Sequence, residues 1–414
     1  MKTENLSFSS RAVVVVLLMA TTINYIDRQT LSVLAPLLQK QLHISTLEYS
    51  YAVNSFLVVY AIMYLLMGRV VDWLGTRKGM GFAVIGWSLI EILHVTVIGI
   101  KTLCVYRALL AVGEAAIVPG AVKGVAEYFD ARERSVAVGT FEMGFSLGPL
   151  IAPPLVGWIT LREGWHAAFL WTGILGLIWC VPWFLFYRTP ERIQPGSGRS
   201  AGAKTRTMPW AVLFRSREAW AIGLGRFFSD PVWFFYLFWI PKYLADTHGL
   251  NLKAIAAVAW IPYVASLAGS LSGGSCSAWL MKRGTSILKS RESAMLFSAI
   301  LVSAGVLCIY LRSLFWVLVV MSSATFGLQF WGANLDTLTI DLFPPEYAGQ
   351  AMGFAGLMAA SGGILFTAGT GYLVEHYSYA PVFLASAITL PIGLVLLFLL
   401  LRRSSPIEQR QKFH

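Results

Sequence analysis

Four ionisable side chains lie in segments of this 414-residue chain that are otherwise apolar enough for a membrane interior. Asp27 and Arg28 are neighbours in the first segment, and Arg107 and Glu114 lie seven residues apart in the fourth. An ionised group near the middle of a bilayer costs about 2.5–3.5 kcal/mol on insertion scales, so groups kept there indicate a function. Arginine stays protonated and can hold an anion, whereas a desolvated carboxyl group can take up a proton. Arg28 and Arg107 are therefore candidate anion ligands, and Asp27 and Glu114 are candidate proton carriers.

Helical spacing decides which of these side chains can act together. Tyr25 and Arg28 are three residues apart and share one helix face, so a phenol and a guanidinium can point at one ligand. Asp27 lies about 100° around the helix from Arg28. Arg107 and Glu114 are separated by about 10.5 Å along one face and can line one path without touching. A buried structural network of arginine–carboxylate pairs is the alternative interpretation.

The elements that must position these residues are membrane-spanning helices. The chain is 57% hydrophobic and 13% charged, against about 25% charged residues in a typical soluble protein. Apolar runs of about 18 or more residues, long enough to cross the hydrocarbon as helices, recur along the whole length. We therefore predict an all-α membrane protein with 12 transmembrane helices. Their predicted limits are 12–35, 49–68, 80–100, 103–126, 136–160, 166–187, 219–245, 254–280, 292–311, 314–340, 350–373 and 378–401.

A polar segment divides the chain between the sixth and seventh predicted helices. Residues 188–218 are rich in Arg, Gly, Ser and Pro, which is typical of a flexible linker. We predict six helices within 1–187 and six within 219–414. Lys and Arg are concentrated in the loops on the side of both termini, so the positive-inside rule places the termini and the linker in the cytoplasm. The N-terminal apolar stretch has no clear cleavage site and is treated as a retained helix.

Charge and cysteine content argue against several classes of protein. The net charge of +11 arises from short loops rather than from a basic surface interleaved with aromatic residues, so no nucleic-acid partner is expected. The four cysteines lie in apolar segments and form no C-x-x-C pair, which favours small buried residues over disulfides or a metal site. The chain has no H-E-x-x-H motif of an intramembrane metalloenzyme. We expect no enzyme activity, no metal and no cofactor.

A loop motif lies between the second and third predicted helices. Gly68, Asp72, Gly75 and Arg77 fall in a stretch that matches G-x-x-x-D-x-x-G-x-[R/K]-[R/K] and resembles the loop of the major facilitator superfamily. The resemblance implies a fold of two six-helix halves and a gating role for this loop. Asp72 is expected to cap the following helix and to pair with loop arginines, latching one state. The second-half counterpart, residues 277–284, lacks the aspartate.

Further motifs resemble one branch of that superfamily, the anion:cation symporter family. The matching segments are Asn24-Tyr25-x-Asp27-Arg28, Arg107 with Gly113-Glu114-Ala115, and the stretches 164–169 and 230–244. The last stretch looks most like the hexuronate carriers. The resemblance extends over almost the full length of the chain.

The resemblance also implies roles for individual residues. Arg28 is expected to bind the substrate carboxylate, while Asp27 and Glu114 titrate. Tyr60 in the second helix is expected to touch substrate. Arg107 would support either Glu114 or the bound anion. The implied substrates are sugar acids carried together with protons.

Polar residues of the second half are candidate contacts for a sugar. Gln329, Trp331 and Asn334 lie in the tenth predicted helix, where amides can bond hydroxyls and an indole can stack on a sugar ring, although such residues also serve packing. Relatives often carry an amide in the glycine-rich eleventh helix, whereas here only Ser361 can hydrogen-bond by its side chain. Four other acidic residues in or near the helices are left without a role: Glu91, Glu142, Asp230 and Asp336.

Charge counting predicts how substrate and proton are coupled. Two arginines contribute +2 and the ionised forms of Asp27 and Glu114 contribute −2, so a bound monocarboxylate leaves −1 in a dry cavity and one added proton restores neutrality. We therefore predict a secondary active transporter that takes up a hexuronate or aldonate anion by proton symport with alternating access. A second proton would make transport electrogenic, worth about 2.3 kcal/mol per 100 mV.

Two alternatives stay open at this stage. One is a symporter of another organic anion, such as an aromatic acid or a dicarboxylate. The other is a transporter-like solute sensor. In every case we expect a multi-pass protein of a bacterial inner membrane, monomeric in the lipid bilayer, with both termini cytoplasmic.

Overall fold

The structure, a computed structural model, describes residues 8–129, 133–188, 210–343 and 345–402. Every regular element in these ranges is helical. Most of the predicted linker, residues 189–209, lies outside the described residues. Several helices run past the limits that hydropathy predicts, and the first is Phe8–Leu42 rather than 12–35. Others end earlier, as Thr76–Leu93 does against the predicted 80–100.

The helices form two compact units. The first unit contains eight helices among the described residues, together with the segment Leu244–Trp260. Its helices are α1 (Phe8–Leu42), α2 (Thr46–Leu74), α3 (Thr76–Leu93), α4 (Ile100–Glu114), α5 (Ile117–Tyr128), α6 (Arg134–Glu142), α7 (Gly144–Glu163) and α8 (Trp165–Phe186).

The second unit comprises Lys204–Tyr243 and Ile261–His414. The short helix α11 and the end of α10 belong to the first unit, where α11 packs on α7. The helices from residue 210 onward are α9 (Trp210–Arg215), α10 (Arg217–His248), α11 (Leu252–Val258), α12 (Ile261–Lys282), α13 (Ile287–Ser303), α14 (Leu314–Leu342), α15 (Pro345–His376) and α16 (Ala380–Arg402).

Eleven helical segments of the described ranges are long and apolar enough to cross a membrane. They match every predicted span except the seventh. That span lies within α10, a helix of 32 residues that carries Arg226, Asp230 and Lys242. The predicted all-α membrane fold is confirmed.

Two predicted spans are interrupted where a proline removes a backbone donor. α4 ends at Glu114 and α5 begins at Ile117, and Pro119 has no N–H for the carbonyl of Ala115. The same relation holds between α11 and α12, where Pro262 has no N–H for the carbonyl of Val258. The first break follows directly after a carboxylate that the sequence assigns to proton coupling.

Glycines of α7 allow this helix to pack directly on α1. A Cβ at Gly148 would lie 2.4 Å from Cβ of Tyr25 and 2.7 Å from the carbonyl oxygen of Thr22. Small residues at such crossings let helix backbones approach closely. This contact fixes the part of α1 that carries Tyr25 and the neighbouring charged residues.

Gly148→Ala is expected to destabilise the protein, because the added methyl group meets α1 backbone that cannot turn aside. Overpacking of this kind costs about 1–3 kcal/mol. Gly139→Ala is the matched control, since a Cβ at Gly139 in α6 meets nothing within 4 Å. Thermal unfolding in detergent should show a lower midpoint for Gly148→Ala alone. Equal midpoints in the two variants would contradict the α1–α7 contact.

Candidate functional site

A buried ion pair joins α1 to α4 in the first unit. Nε of Arg28 donates a hydrogen bond of 2.7 Å to Oε2 of Glu114. The two residues are 3% and 0% exposed, so the pair is shielded from solvent. The structure thus brings the predicted anion ligand into direct contact with the predicted proton carrier. Sequence spacing places these residues in two helices but does not predict their contact.

Three aromatic rings surround the Arg28 guanidinium. Its central carbon lies 4.5 Å from the ring centroid of Tyr60, 4.8 Å from that of Tyr25 and 5.0 Å from that of Phe56. Such cation–π contacts favour a desolvated cation. Nη2 of Arg28 has no hydrogen-bond partner among the residues that the structure describes. Tyr25 and Tyr60 are half-buried, and they therefore line the accessible side of this cage.

The second predicted arginine occupies a drier position. Arg107 is fully buried, and none of its three side-chain nitrogens has a hydrogen-bond partner within the described ranges. Its central carbon lies 4.8 Å from the ring centroid of Phe56, so both guanidiniums contact this ring. Arg107 interacts electrostatically with Glu91 and Glu114. Phe56 gives no sequence signal, because it is one apolar residue in an apolar helix.

Two further carboxyl groups lie beside Arg107. Asp27 and Glu91 are both fully buried, and each interacts with the other and with Glu114 and Arg107. Neither oxygen of Asp27 has a hydrogen-bond partner in the described part of the chain. Oε1 of Glu91 accepts a hydrogen bond of 3.4 Å from Thr172 of α8. Glu91 is the site residue that sequence reasoning left without a role.

The presence of Glu91 corrects the charge count made from the sequence. That count balances two arginines against Asp27 and Glu114. The structure adds a third carboxyl group, so the fully ionised cluster carries a net charge of −1. A buried, uncompensated charge is costly, and the group neutralises by binding a proton instead. The cluster therefore differs from the neutral set that the sequence predicts.

Close packing of α3 on α4 assembles this cluster. A Cβ at Gly113 would lie 2.8 Å from Cβ of Trp87 and 2.9 Å from the carbonyl oxygen of Ala83. Only glycine lets the two backbones approach this closely. Gly113 precedes Glu114 and thereby places its carboxyl group between α1 and α3. The Gly-Glu-Ala segment that the sequence singles out thus has a packing reason as well as a chemical one.

The predicted residues of the second unit divide between bonded and unbonded side chains. Asn334 is fully buried, and its amide nitrogen donates to the carbonyl oxygens of Gly273 at 3.0 Å and Phe330 at 2.9 Å. Its amide oxygen accepts from Nη1 of Arg291 at 3.4 Å. These bonds hold α12, α13 and α14 together and engage both N–H groups of the Asn334 amide. A sugar contact of Asn334 stays a prediction.

Trp331, Gln329 and Ser361 have different surroundings. Trp331 is fully buried, and its indole nitrogen lacks a hydrogen-bond partner among the described residues. Gln329 is half-buried on α14. The hydroxyl of Ser361 donates to the carbonyl oxygen of Leu357 at 2.8 Å within α15. Gln329 and Trp331 therefore remain predicted sugar contacts, whereas the Ser361 hydroxyl proton is already engaged.

The charged residues of α10 and α14 form ion pairs inside the second unit. Arg226 contacts Asp336 directly and lies 3.5 Å from Oδ1 of Asp230. Nη2 of Arg291 lies 3.2 Å from Oδ2 of Asp341. Asp230 and Asp336, which the sequence leaves without a role, thus share one arginine.

The loop motif has a different geometry from the one predicted. Gly68 and Asp72 lie inside α2, Arg77 lies in the first turn of α3, and only Gly75 forms the turn, with a φ of +77° that favours glycine. Asp72 does not cap α3. Its Oδ1 instead accepts a hydrogen bond of 2.6 Å from Nζ of Lys123 on α5. The capping prediction is wrong because α2 continues to Leu74, past the aspartate.

Enzyme and metal motifs find no support in the described residues. No group of three His, Cys, Asp or Glu side chains there is placed to hold a metal ion. Gly144-Phe145-Ser146-Leu147-Gly148 matches the G-x-S-x-G pattern of a nucleophile elbow. It lies inside α7 rather than on a strand-to-helix turn, and Ser146 is buried. The match is therefore a feature of helix packing.

Comparison with known proteins places this chain in a family. The family model described as Major Facilitator Superfamily matches residues 17–367 and 290–414. The chain is 30% identical over 410 residues to the hexuronate transporter of Escherichia coli (strain K12), covering 96% of this chain and 95% of that protein. It is 39% identical over 267 residues to the galacturonate transporter of Dickeya chrysanthemi, covering 61% of this chain and 77% of that protein.

A solved structure supports the same fold. It is the crystal structure of a bacterial homolog to the human lysosomal transporter Spinster, in an inward-facing and unoccupied conformation. The TM-score is 0.75 at 18% identity, covering 96% of this chain and 98% of that one. By its sequence and fold, the chain is a multi-pass membrane transporter and not an enzyme. The chain belongs to the Major Facilitator Superfamily, as its loop motif predicts.

Proposed function

We propose that the chain transports a sugar-acid anion together with a proton. The observation that carries this proposal is the contact of 2.7 Å between Arg28 and Glu114. The names of the relatives, which are transporters of hexuronate and galacturonate, support the choice of substrate. Arg28 is the residue that we assign to the substrate carboxylate.

Coupling follows from competition for one guanidinium. While Glu114 is ionised, it occupies Nε of Arg28 and neutralises its charge. A proton on Glu114 removes that charge and leaves the arginine to a substrate carboxylate, whose planar oxygens match the guanidinium fork. The exchange of one carboxylate for another keeps the site neutral. The carrier therefore takes up one proton, on Glu114, for each monoanion that it binds.

The ring cage suits the remainder of a sugar acid. Tyr25 and Tyr60 offer phenol groups that can bond hydroxyls and ring faces that can pack against the C–H groups of a sugar. Their rings lie within 5 Å of the group assigned to the carboxylate. Gln329 and Trp331 of the second unit stay proposed sugar contacts. Alternating access, a bacterial inner membrane, cytoplasmic termini and a monomeric state are parts of the same proposal.

Transport into proteoliposomes tests this function. The purified full chain should accumulate radiolabelled D-galacturonate or D-glucuronate when the outside is made acidic, and an uncoupler should abolish accumulation. Competition by aldonates, aromatic acids and dicarboxylates identifies the preferred class of anion. Uptake that does not depend on the proton gradient would contradict proton coupling. Uptake that only aromatic acids inhibit would mean that the substrate is an aromatic acid rather than a sugar acid.

The loop motif yields a prediction about rate rather than affinity. Asp72 and Lys123 pair at 2.6 Å with side chains 70% and 30% exposed, and such an exposed pair contributes about 0–1 kcal/mol to stability. Asp72→Lys should slow D-galacturonate exchange while leaving its Kd unchanged, since this pair is exposed whereas Arg28 is buried in its ring cage. The charge swap Asp72→Lys with Lys123→Asp should restore the rate. A swap that stays as slow as the single variant would contradict a gating role for this pair.

A further inference from the structure

The third carboxyl group of the buried cluster, Glu91, takes no part in the proposed exchange of partners at Arg28. Glu91 lies in the last turn of α3, which otherwise contributes apolar and small residues to the interior. It is fully buried, and its Oε2 has no hydrogen-bond partner among the described residues. His94, one turn later, lies 3.7 Å from this oxygen through Nδ1.

The imidazole beside Glu91 is already committed to a backbone acceptor. Nδ1 of His94 lies 2.9 Å from the carbonyl oxygen of Ile90 and therefore carries the hydrogen. The ring stacks on Phe169 at 5.0 Å between centroids and has no solvent exposure. A charged imidazolium is disfavoured there. His94 thus supplies no positive charge to balance Glu91.

The remaining neighbours define the electrostatic problem. Arg107 is the cation facing both Glu91 and Asp27, and it cannot neutralise two carboxylates. Arg28 is already bonded to Glu114. The two carboxyl groups also repel each other when both are ionised. The groups that face Glu91 from the packed elements are Asp27 of α1, Arg107 and Glu114 of α4, Thr172 of α8 and the nearby His94. The charged residues of α5 have other partners: Lys123 bonds to Asp72, and Glu127 accepts from Thr76 and Tyr187.

We propose that Asp27 and Glu91 share one resident proton beside Arg107, as a second proton-binding site separate from the Arg28–Glu114 pair. With that proton the cluster is neutral before substrate arrives: two guanidiniums stand opposite two carboxylates and one carboxylic acid. The arrangement explains why the oxygens of Asp27 need no second cation. It rests on the proposed function only in assigning Glu114 to substrate-linked protonation.

The resident proton has a consequence for substrate. Its loss would place a net negative charge next to the site assigned to a carboxylate. Anion binding would then be opposed by repulsion in a medium of low dielectric constant. The Asp27–Glu91 pair therefore keeps the empty carrier ready for an anion, whereas Glu114 exchanges its proton with each substrate.

Infrared spectroscopy of the purified full chain tests this proposal without any substrate. At neutral pH the wild type should show the carbonyl stretch of a buried carboxylic acid, identified by its shift in D2O. Glu91→Gln and Asp27→Asn should each remove this band, because the remaining carboxylate then ionises opposite Arg107. Glu163→Gln, at an exposed glutamate at the end of α7, is the control and should retain it. Thr172→Val removes the hydroxyl that donates to Glu91 and to the carbonyl oxygens of Ala168 and Phe169. It leaves both carboxyl groups in place and should also retain the band.

The outcomes separate this proposal from the proposed function. A wild-type spectrum without such a band, or a band that persists in both Glu91→Gln and Asp27→Asn, would overturn the resident proton. If Glu91→Gln does not fold, Asp27→Asn decides in its place. Failure of the wild type to transport any sugar acid would contradict the proposed function. It would not affect the infrared result.

Discussion

Replacing Arg28 with alanine is expected to weaken D-galacturonate binding by roughly 30-fold to several thousand-fold. Removing one partner of a buried, hydrogen-bonded charge pair costs about 2–5 kcal/mol, and each 1.4 kcal/mol is about tenfold in Kd. Arg28 is 3% exposed and is the guanidinium assigned to the substrate, whereas Arg107 is fully buried. Arg28→Lys should also bind poorly, because an ammonium lacks the bidentate fork. Titration calorimetry measures both variants.

The control for this experiment is Arg162→Ala. Arg162 is an exposed arginine at the end of α7, and its guanidinium lies 4.5 Å from the ring centroid of Trp158. It carries the same charge, so its loss tests for a non-specific effect of net charge. Both variants should keep wild-type helicity. Unchanged binding in Arg28→Ala would mean that the anion binds elsewhere.

Replacing Glu114 with glutamine is expected to separate binding from proton coupling. The amide mimics the protonated acid, so Arg28 is permanently released from its ion pair. Accumulation driven by a proton gradient should be lost, while counterflow of labelled D-galacturonate should persist. The Kd of the variant should no longer rise between acidic and alkaline pH, because no proton is taken up on binding. Proteoliposome assays and calorimetry over a pH series measure these quantities.

Glu127→Gln is a matched control for Glu114→Gln within the same pair of helices. Glu127 lies on α5 and accepts hydrogen bonds from Thr76 at 2.7 Å and from Tyr187. Neither partner belongs to the ring cage around Arg28. This variant should retain gradient-driven accumulation. If Glu114→Gln also accumulates substrate against its gradient, Glu114 is not the coupling residue.

Much of the fold follows from local sequence properties. Hydropathy predicts the helices because each must satisfy its own backbone hydrogen bonds in lipid. Helix ends are less predictable: α2 continues past Arg69 and Asp72 to Leu74, whereas α3 ends at Leu93, before the predicted limit at residue 100. The helix breaks near Glu114 and Val258 could have been predicted from Pro119 and Pro262, which follow them. The prediction of continuous membrane spans does not take these prolines into account.

The site is less predictable, because it depends on contacts between distant parts of the chain. Arg28 and Glu114 are separated by 86 residues, and periodicity within a helix cannot show that they meet. Glu91 is visible as a charge in an apolar helix, but its neighbours come from α1, α4 and α8. Asn334 is a further case: its residue type suggests a sugar contact, whereas its packing bonds to Gly273 and Phe330 cannot be predicted from the sequence.

The most direct test of the account is the number of protons bound with each substrate molecule. Calorimetric titration of the purified carrier with D-galacturonate, in buffers of different ionisation enthalpy, gives this number. We predict uptake of one proton per monoanion by the wild type and none by Glu114→Gln. Substrate binding by the wild type without any proton uptake would contradict the exchange of Glu114 for substrate at Arg28.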